Sequence, residues 1–158
     1  MRSTSIGSVM AVVVGVCAAA ASGGCSGFDA AYEKALAQGA PAGSIEGAWD
    51  GTWTSHGGHG GGRLRAVITR AGPDTYRAWF RAGFWKILEA SQEVNLKVSS
   101  APASSGEVRA AGEEDLGWLY GGVYKYEATA TPGKFDATYT SKYDRGVFEM
   151  ARPATGGK

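Results

Sequence analysis

The chain has 158 residues, a length that supports one domain with a hydrophobic core. Its formal net charge of +1 gives no overall attraction for a polyanion, so we expect no nucleic-acid partner. The 25 glycines, 5 prolines and 11% aromatic residues favour a turn-rich β-protein over a helical bundle or a disordered chain.

Residues 1–24 have the features of a secretion signal. Arg2 is followed by an uncharged run of apolar and small residues from Val9 to Ala21, which is typical of a signal peptide that is cleaved off. The run is shorter than the ~20 apolar residues that a membrane-spanning helix needs. We therefore predict export from the cytoplasm.

The small residues directly before Cys25, in the segment Ser22-Gly23-Gly24-Cys25, resemble the lipobox of bacterial lipoproteins. Ser22 departs from that pattern, which usually has Leu or another aliphatic residue there. The resemblance implies that Cys25 is lipidated, becomes the new N-terminus and attaches the protein to a membrane of the cell envelope. Burial of acyl chains contributes ~0.8 kcal/mol per CH₂, so two or three chains hold a protein firmly. The alternative is cleavage near Ala20, which leaves Cys25 as a thiol.

A short helix is predicted over residues 28–38, where Phe28, Tyr32 and Leu36 recur every four residues. A glycine and a proline follow and end it. About three turns are marginally stable alone, so the helix must dock on another element unless it is a half-ordered spacer. We expect residues 25–44 to be a lipid-anchored tether that contains this helix.

The chain from residue 45 to residue 153 predicts an all-β domain of about eight short strands. No long helix separates the strands, so neighbours should pair antiparallel in a meander that closes into a β-barrel. Residues 154–158 are expected to be a disordered tail. The strands are predicted at 45–54, 63–69, 75–82, 92–98, 107–113, 123–130, around 135–139 and around 148–152, with 84–90 undecided between a loop and a helical turn.

The first predicted strand carries two Gly-x-Trp units, which place Trp49 and Trp53 on one apolar face. Together with an inward Arg152 on the last strand, this pattern resembles the calycin group of lipocalins, fatty-acid-binding proteins and avidins. The resemblance implies that Arg152 packs over Trp49 at a closed barrel end, a cation–π contact of ~1–2 kcal/mol. The segment from Asp115 to Pro153 also resembles small uncharacterised bacterial envelope proteins, which implies a fold and a location only.

A basic surface is predicted on the outside of the second and third strands. Residues 63–86 hold six basic side chains and one acidic side chain. Strand alternation directs Arg63, Arg65, Arg77, Trp79 and Arg81 outward. Such a patch could bind anionic lipid or an envelope polymer. The alternatives are that the charges pair across strands and that Trp79 lies under the N-terminal helix.

Two loops contain further candidate residues. The apolar stretch around Trp118 predicts either a lid or partner-binding surface, or a tight corner that packs Trp118 into the core. His56 and His59 lie in a glycine-rich run and could supply two ligands to a metal, but a site needs three or four held in place. We favour a mobile loop there and expect neither a metal nor a cofactor.

The sequence favours a binding protein over an enzyme, because it contains no Gly-x-Ser-x-Gly, no HExxH and no cysteine near a histidine. The first hypothesis is a membrane-tethered, non-catalytic barrel that binds a partner or envelope component through its outer surface. The second is a carrier of a small apolar molecule inside the barrel. Bulky inward residues favour a filled interior, and a void of ~300 Å³ or more would favour the carrier.

Overall fold

A computed structural model describes residues 24–84, 88–100, 106–118 and 122–154 of the chain. Each strand pairs antiparallel with the next, and the last pairs with the first, so the sheet closes. The predicted all-β, eight-stranded antiparallel barrel is therefore confirmed. The elements are α1 (Gly24–Gln38), β1 (Gly47–Ser55), β2 (Gly61–Gly72), β3 (Thr75–Phe84), β4 (Leu88–Ser100), β5 (Val108–Asp115), β6 (Val123–Ala130), β7 (Lys134–Thr140) and β8 (Arg145–Ala151).

Some parts of the predicted organisation lie outside the described residues. These are residues 1–23 of the predicted signal peptide and residues 155–158 of the predicted tail. No helix in the described part of the chain is long and apolar enough to cross a membrane.

Strand positions follow the alternation of apolar and polar side chains. The bounds of β6 are those predicted, and its buried residues alternate with exposed ones. The undecided segment 84–90 contributes the start of β4, where Glu89 and Ala90 pair with Gly83 and Ala82 of β3. The sequence shows no clear alternation there, because its large apolar residues fall at both even and odd positions: Phe84, Trp85, Ile87 and Leu88.

One end of the barrel is closed by Trp49 and Arg152. The Arg152 guanidinium lies 3.9 Å from the centroid of the Trp49 ring, as the calycin resemblance implied. It also donates hydrogen bonds to the carbonyl oxygens of Ser44 (2.8 Å), Pro132 (2.8 Å) and Ala48 (3.2 Å). The side chain therefore ties the chain before β1 to the β6–β7 turn, and we call this the closed end.

The seam between β1 and β8 depends on a glycine. A Cβ at Gly51 would lie 2.0 Å from the carbonyl oxygen of Glu149 and 2.7 Å from Cα of Met150. Only a residue without a side chain lets the two backbones approach this closely. The opposite end of the barrel, which we call the open end, contains Trp53. Its indole nitrogen donates a hydrogen bond to the carbonyl oxygen of Gly83 at 3.0 Å.

The helix packs against the outside of the barrel. Phe28 is 0% exposed, and its ring meets Trp79 edge-on with centroids 5.3 Å apart. Tyr32 is also buried, in a small cluster that includes Ala48 and Val67. The predicted docking of this marginal helix is therefore present, and α1 is part of the folded unit.

Candidate functional site

The structure corrects the expectation of an exposed basic patch at Arg65, Trp79 and Arg81. Helix α1 covers these side chains, and Arg81 is only 8% exposed. The carboxylate of Asp29 on α1 lies 2.7 Å from Nη1 of Arg81 and 3.3 Å from Nη1 of Arg65. Glu89 of β4 pairs with both arginines as well. The hydrogen bond from Arg81 lowers the pKa of Asp29, which keeps the cluster charged and paired.

The two remaining arginines of the predicted patch are also paired. Arg63 donates to Asp50 at 3.1 Å, and Arg77 lies 3.8 Å from Glu93. Their partners belong to neighbouring strands, β1 and β4. The predicted alternative of pairing across strands is therefore present at Arg63 and Arg77, whose side chains remain more than half exposed.

Trp118 lies in the connection that follows β5 and is 84% exposed. The expectation that it packs into a core corner is wrong. Leu116, two residues earlier, instead contributes to the lining of an internal cavity.

A cavity of about 230 Å³ occupies the open end of the barrel. For scale, an apolar protein cavity of about 150 Å³ holds benzene. The volume is below ~300 Å³, the lower bound of typical ligand pockets and the size expected of a carrier. The cavity therefore does not meet that expectation and suits only a small ligand. The lining residues are Trp53, Leu64, Phe80, Ala82, Ala90, Gln92, Leu116, Tyr124, Tyr126, Tyr139, Asp144 and Phe148. The barrel is thus filled towards Trp49 and hollow near its opening.

One carboxylate, Asp144, lies in the wall of this cavity. It accepts hydrogen bonds from the Ser55 hydroxyl at 2.7 Å, the Tyr139 hydroxyl at 2.9 Å and the Arg145 backbone N–H at 2.8 Å. Nδ1 of His59 lies 3.3 Å away. Burial alone would raise the pKa of Asp144, but these hydrogen bonds outweigh it and lower the pKa. Asp144 is therefore ionised at neutral pH.

Two tyrosines add neutral polar groups to the same cavity. Tyr126 accepts a hydrogen bond of 2.6 Å from Nε2 of Gln92, so its own hydroxyl hydrogen can be donated to a ligand. Burial raises the pKa of Tyr126 to about 12, and nearby Tyr124 and Glu114 add to the effect. Burial and the hydrogen bond to Asp144 also raise the pKa of Tyr139. Both phenols remain protonated at neutral pH.

Ser55, His59 and Asp144 meet at the rim, but not in the order of a catalytic triad. The serine hydroxyl donates to the carboxylate, and its oxygen lies 3.5 Å from Nδ1 of His59. A triad needs the imidazole between the serine and the acid. Within the described ranges, no group of three or more His, Cys, Asp or Glu side chains is placed to hold a metal, and His59 contacts Asp144 instead.

Asp144 was not among the candidate residues predicted from the sequence, because it lies in the turn between β7 and β8. Ser55 and Asp144 are 89 residues apart in the chain. They meet because β1 pairs with β8, which brings the end of one strand beside the start of the other. The predicted barrel closure was the signal from which this neighbourhood could have been found.

Comparisons with known proteins found no match to any family model, curated protein or solved structure. The lipobox and calycin resemblances therefore stay predictions. The case for a function rests on the geometry of the open end.

Proposed function

We propose that the protein binds a small, largely apolar molecule in the cavity at the open end of the barrel, and that this molecule carries a cationic or other hydrogen-bond-donating group. The observation that carries the proposal is a single ionised carboxylate, Asp144, in a cavity whose walls are mostly aromatic and aliphatic. Ligand sites commonly combine such walls with a few fixed polar groups.

The size and walls of the cavity favour a compact ligand of one or two rings. Its volume of about 230 Å³ exceeds the ~150 Å³ that suffices for benzene. Trp53, Phe80 and Phe148 supply aromatic surface for burial. Aromatic faces also attract a cation, by ~0.5–2 kcal/mol each.

The negative charge of the cavity favours a ligand that donates hydrogen bonds over one that accepts them. In the described part of the chain, the salt-bridge partner of Asp144 is His59, which is charged only when protonated. Glu114 adds negative charge near Tyr126. An ammonium group on the ligand would offset this charge, whereas a carboxylate would be repelled.

We further propose that the protein is a non-catalytic member of the cell envelope, attached to a membrane through a lipid on Cys25. The support is in the sequence, where an apolar run and three small residues precede that cysteine. Cys25 lies in the first turn of α1, which is packed on the barrel. The ligand site and the attachment point then belong to one folded unit.

The cavity can be tested with a neutral probe, 2-phenylethanol, followed by NMR titration of the protein's backbone amides. We expect shifts at residues around the open end, and we expect Ala82→Leu, which fills the cavity, to weaken binding by roughly tenfold or more. Ala111→Leu makes the same change at an exposed position of β5 and should bind like wild type. Equal binding by both variants, or no binding by wild type, would contradict the cavity as a ligand site.

A further inference from the structure

The exposed large apolar side chains of the described residues gather at one end of the barrel. They are Trp118 (84% exposed), Tyr143 (62%) and Val123 (45%). Trp118 lies in the β5–β6 connection, Val123 begins β6, and Tyr143 lies in the β7–β8 turn. Both connections are at the open end, beside the cavity.

Helix α1 begins towards that same end. Near its start, Asp29 contacts Arg81, three residues before the open end of β3. Just beyond its last turn, Ala40 lies against Gly47, the first residue of β1 at the closed end. The helix therefore runs from the open end to the closed end.

The preceding part of the chain is therefore joined to α1 at the end of the helix that points towards the opening. It contains the apolar run from Val9 to Ala21. Cys25 precedes Asp29 by four residues, which places it ~6 Å further towards the opening along the helix axis. Whichever of these groups inserts into a membrane, it enters from the end that carries Trp118 and Tyr143.

We propose that the open end of the barrel lies against the surface of a lipid bilayer, with Trp118 and Tyr143 at the level of the headgroups. Trp and Tyr are enriched at membrane interfaces, because their rings are apolar and their N–H or O–H groups remain hydrated. The charges nearby are mixed: Lys142 lies 5.2 Å from the Tyr143 ring, whereas Glu114 and Asp115 precede Trp118. The contact is thus aromatic in character and does not require anionic lipid.

This orientation makes the cavity open towards the lipid. It rests on the proposed function in that the cavity is taken as the ligand site. A small, largely apolar ligand concentrates in the bilayer, and it would then enter or leave the barrel without crossing bulk water. The exposed aromatic residues would then hold the cavity against the bilayer, where the ligand is exchanged.

The test uses the full protein, isolated with its native N-terminus and reconstituted into phosphatidylcholine vesicles that contain brominated phosphatidylcholine. Bromine quenches tryptophan fluorescence only at close range. All proteins compared carry Trp85→Phe, because Trp85 lies in the sequence between β3 and β4, whose neighbouring ends are at the open end. In this background we expect quenching when Trp118 is present, its loss in Trp118→Phe, and its retention in Trp79→Phe, a matched change at the ring under α1. Adding phosphatidylglycerol should change the quenching little.

Quenching that persists in Trp118→Phe, or vesicle-bound protein without quenching, would overturn the orientation. The 2-phenylethanol titration is repeated on the same vesicles to separate the two proposals. Binding of the probe without quenching by lipid overturns the orientation alone. Quenching without any probe binding supports the membrane contact and contradicts the ligand site.

Discussion

The Tyr139 hydroxyl donates a hydrogen bond of 2.9 Å to Oδ2 of Asp144, across the turn between β7 and β8. The Tyr139 ring packs on Phe148, with centroids 5.2 Å apart, so one side chain joins the carboxylate to the aromatic wall. The bond lowers the pKa of Asp144 and raises that of Tyr139, which fixes a negative charge beside a neutral phenol. This pair defines the chemistry that a ligand would meet.

Tyr139→Phe removes the hydroxyl that donates to Asp144 and keeps the aromatic ring. Asp144 loses one donor, so we expect the free energy of unfolding to fall by about 1–2 kcal/mol. Urea denaturation measures the change. Tyr143→Phe is the control: Tyr143 is exposed, so this change should leave the free energy of unfolding unaltered. An equal loss of stability in both variants would contradict the role of the Tyr139 hydroxyl.

Asp144 should make the protein less stable in acid. Its pKa is lower in the folded state than the ordinary value of 3.8, so its contribution to stability is complete above that value. The contribution is lost as the pH falls below 3.8 towards the folded-state pKa. Asp144→Asn should be less stable at neutral pH and should lose less stability on acidification. If the curves of unfolding free energy against pH were parallel for the two proteins, Asp144 would not be the source of the acid sensitivity.

The docking of α1 should depend on Phe28. Phe28→Ala removes a fully buried ring at a cost of ~3–5 kcal/mol. We expect amide hydrogen exchange to rise throughout α1 and to change little in β5 to β8, which the helix does not cover. Glu33→Gln, an exposed change on the same helix, should leave exchange unaltered. Uniform acceleration over the whole barrel would show instead that helix and barrel unfold as one unit.

Closure of the barrel should depend on the shape of the Arg152 side chain as well as its charge. Arg152→Lys keeps the charge but cannot reach three carbonyl oxygens and cover Trp49 at once. We expect a loss of about 2 kcal/mol in unfolding free energy. Trp49→Ala, a core truncation, should cost ~3–5 kcal/mol. Arg109→Lys on exposed β5 is the control, and a stability of Arg152→Lys equal to that control would contradict this role.

The sequence predicted the barrel well because its strands alternate between core and solvent. Alternation placed Trp49 and Arg152 on the inner side, and their contact at 3.9 Å follows from closure of the sheet. Alternation also directed Arg65 and Arg81 outward, but it could not tell what covers an outer face. Asp29, which pairs with both, is 36 residues before Arg65 and belongs to a helix whose docking site no local pattern encodes.

The cavity was harder to predict for a different reason. Strand alternation directs Tyr124, Tyr126 and Tyr139 inward, yet a cavity depends on the volumes of all facing side chains together. The small residues Ala82 and Ala90 pair near the opening and leave space that larger residues would fill. Asp144 lies in a turn, where side-chain direction follows the turn geometry and not strand alternation.

The most direct test of the proposed function compares three ligands of similar shape and different charge, by calorimetric titration at neutral pH. Both the hydroxyl and the ammonium can donate to Asp144, but only the ammonium adds an opposite charge, so 2-phenylethylamine should bind roughly tenfold more tightly than 2-phenylethanol. Phenylacetate should bind most weakly. Asp144→Asn should remove the preference for the amine, while Asp136→Asn, which changes an acid on the outside of β7, should keep it. Equal affinity of wild type for all three ligands, or an unchanged preference in Asp144→Asn, would contradict the account.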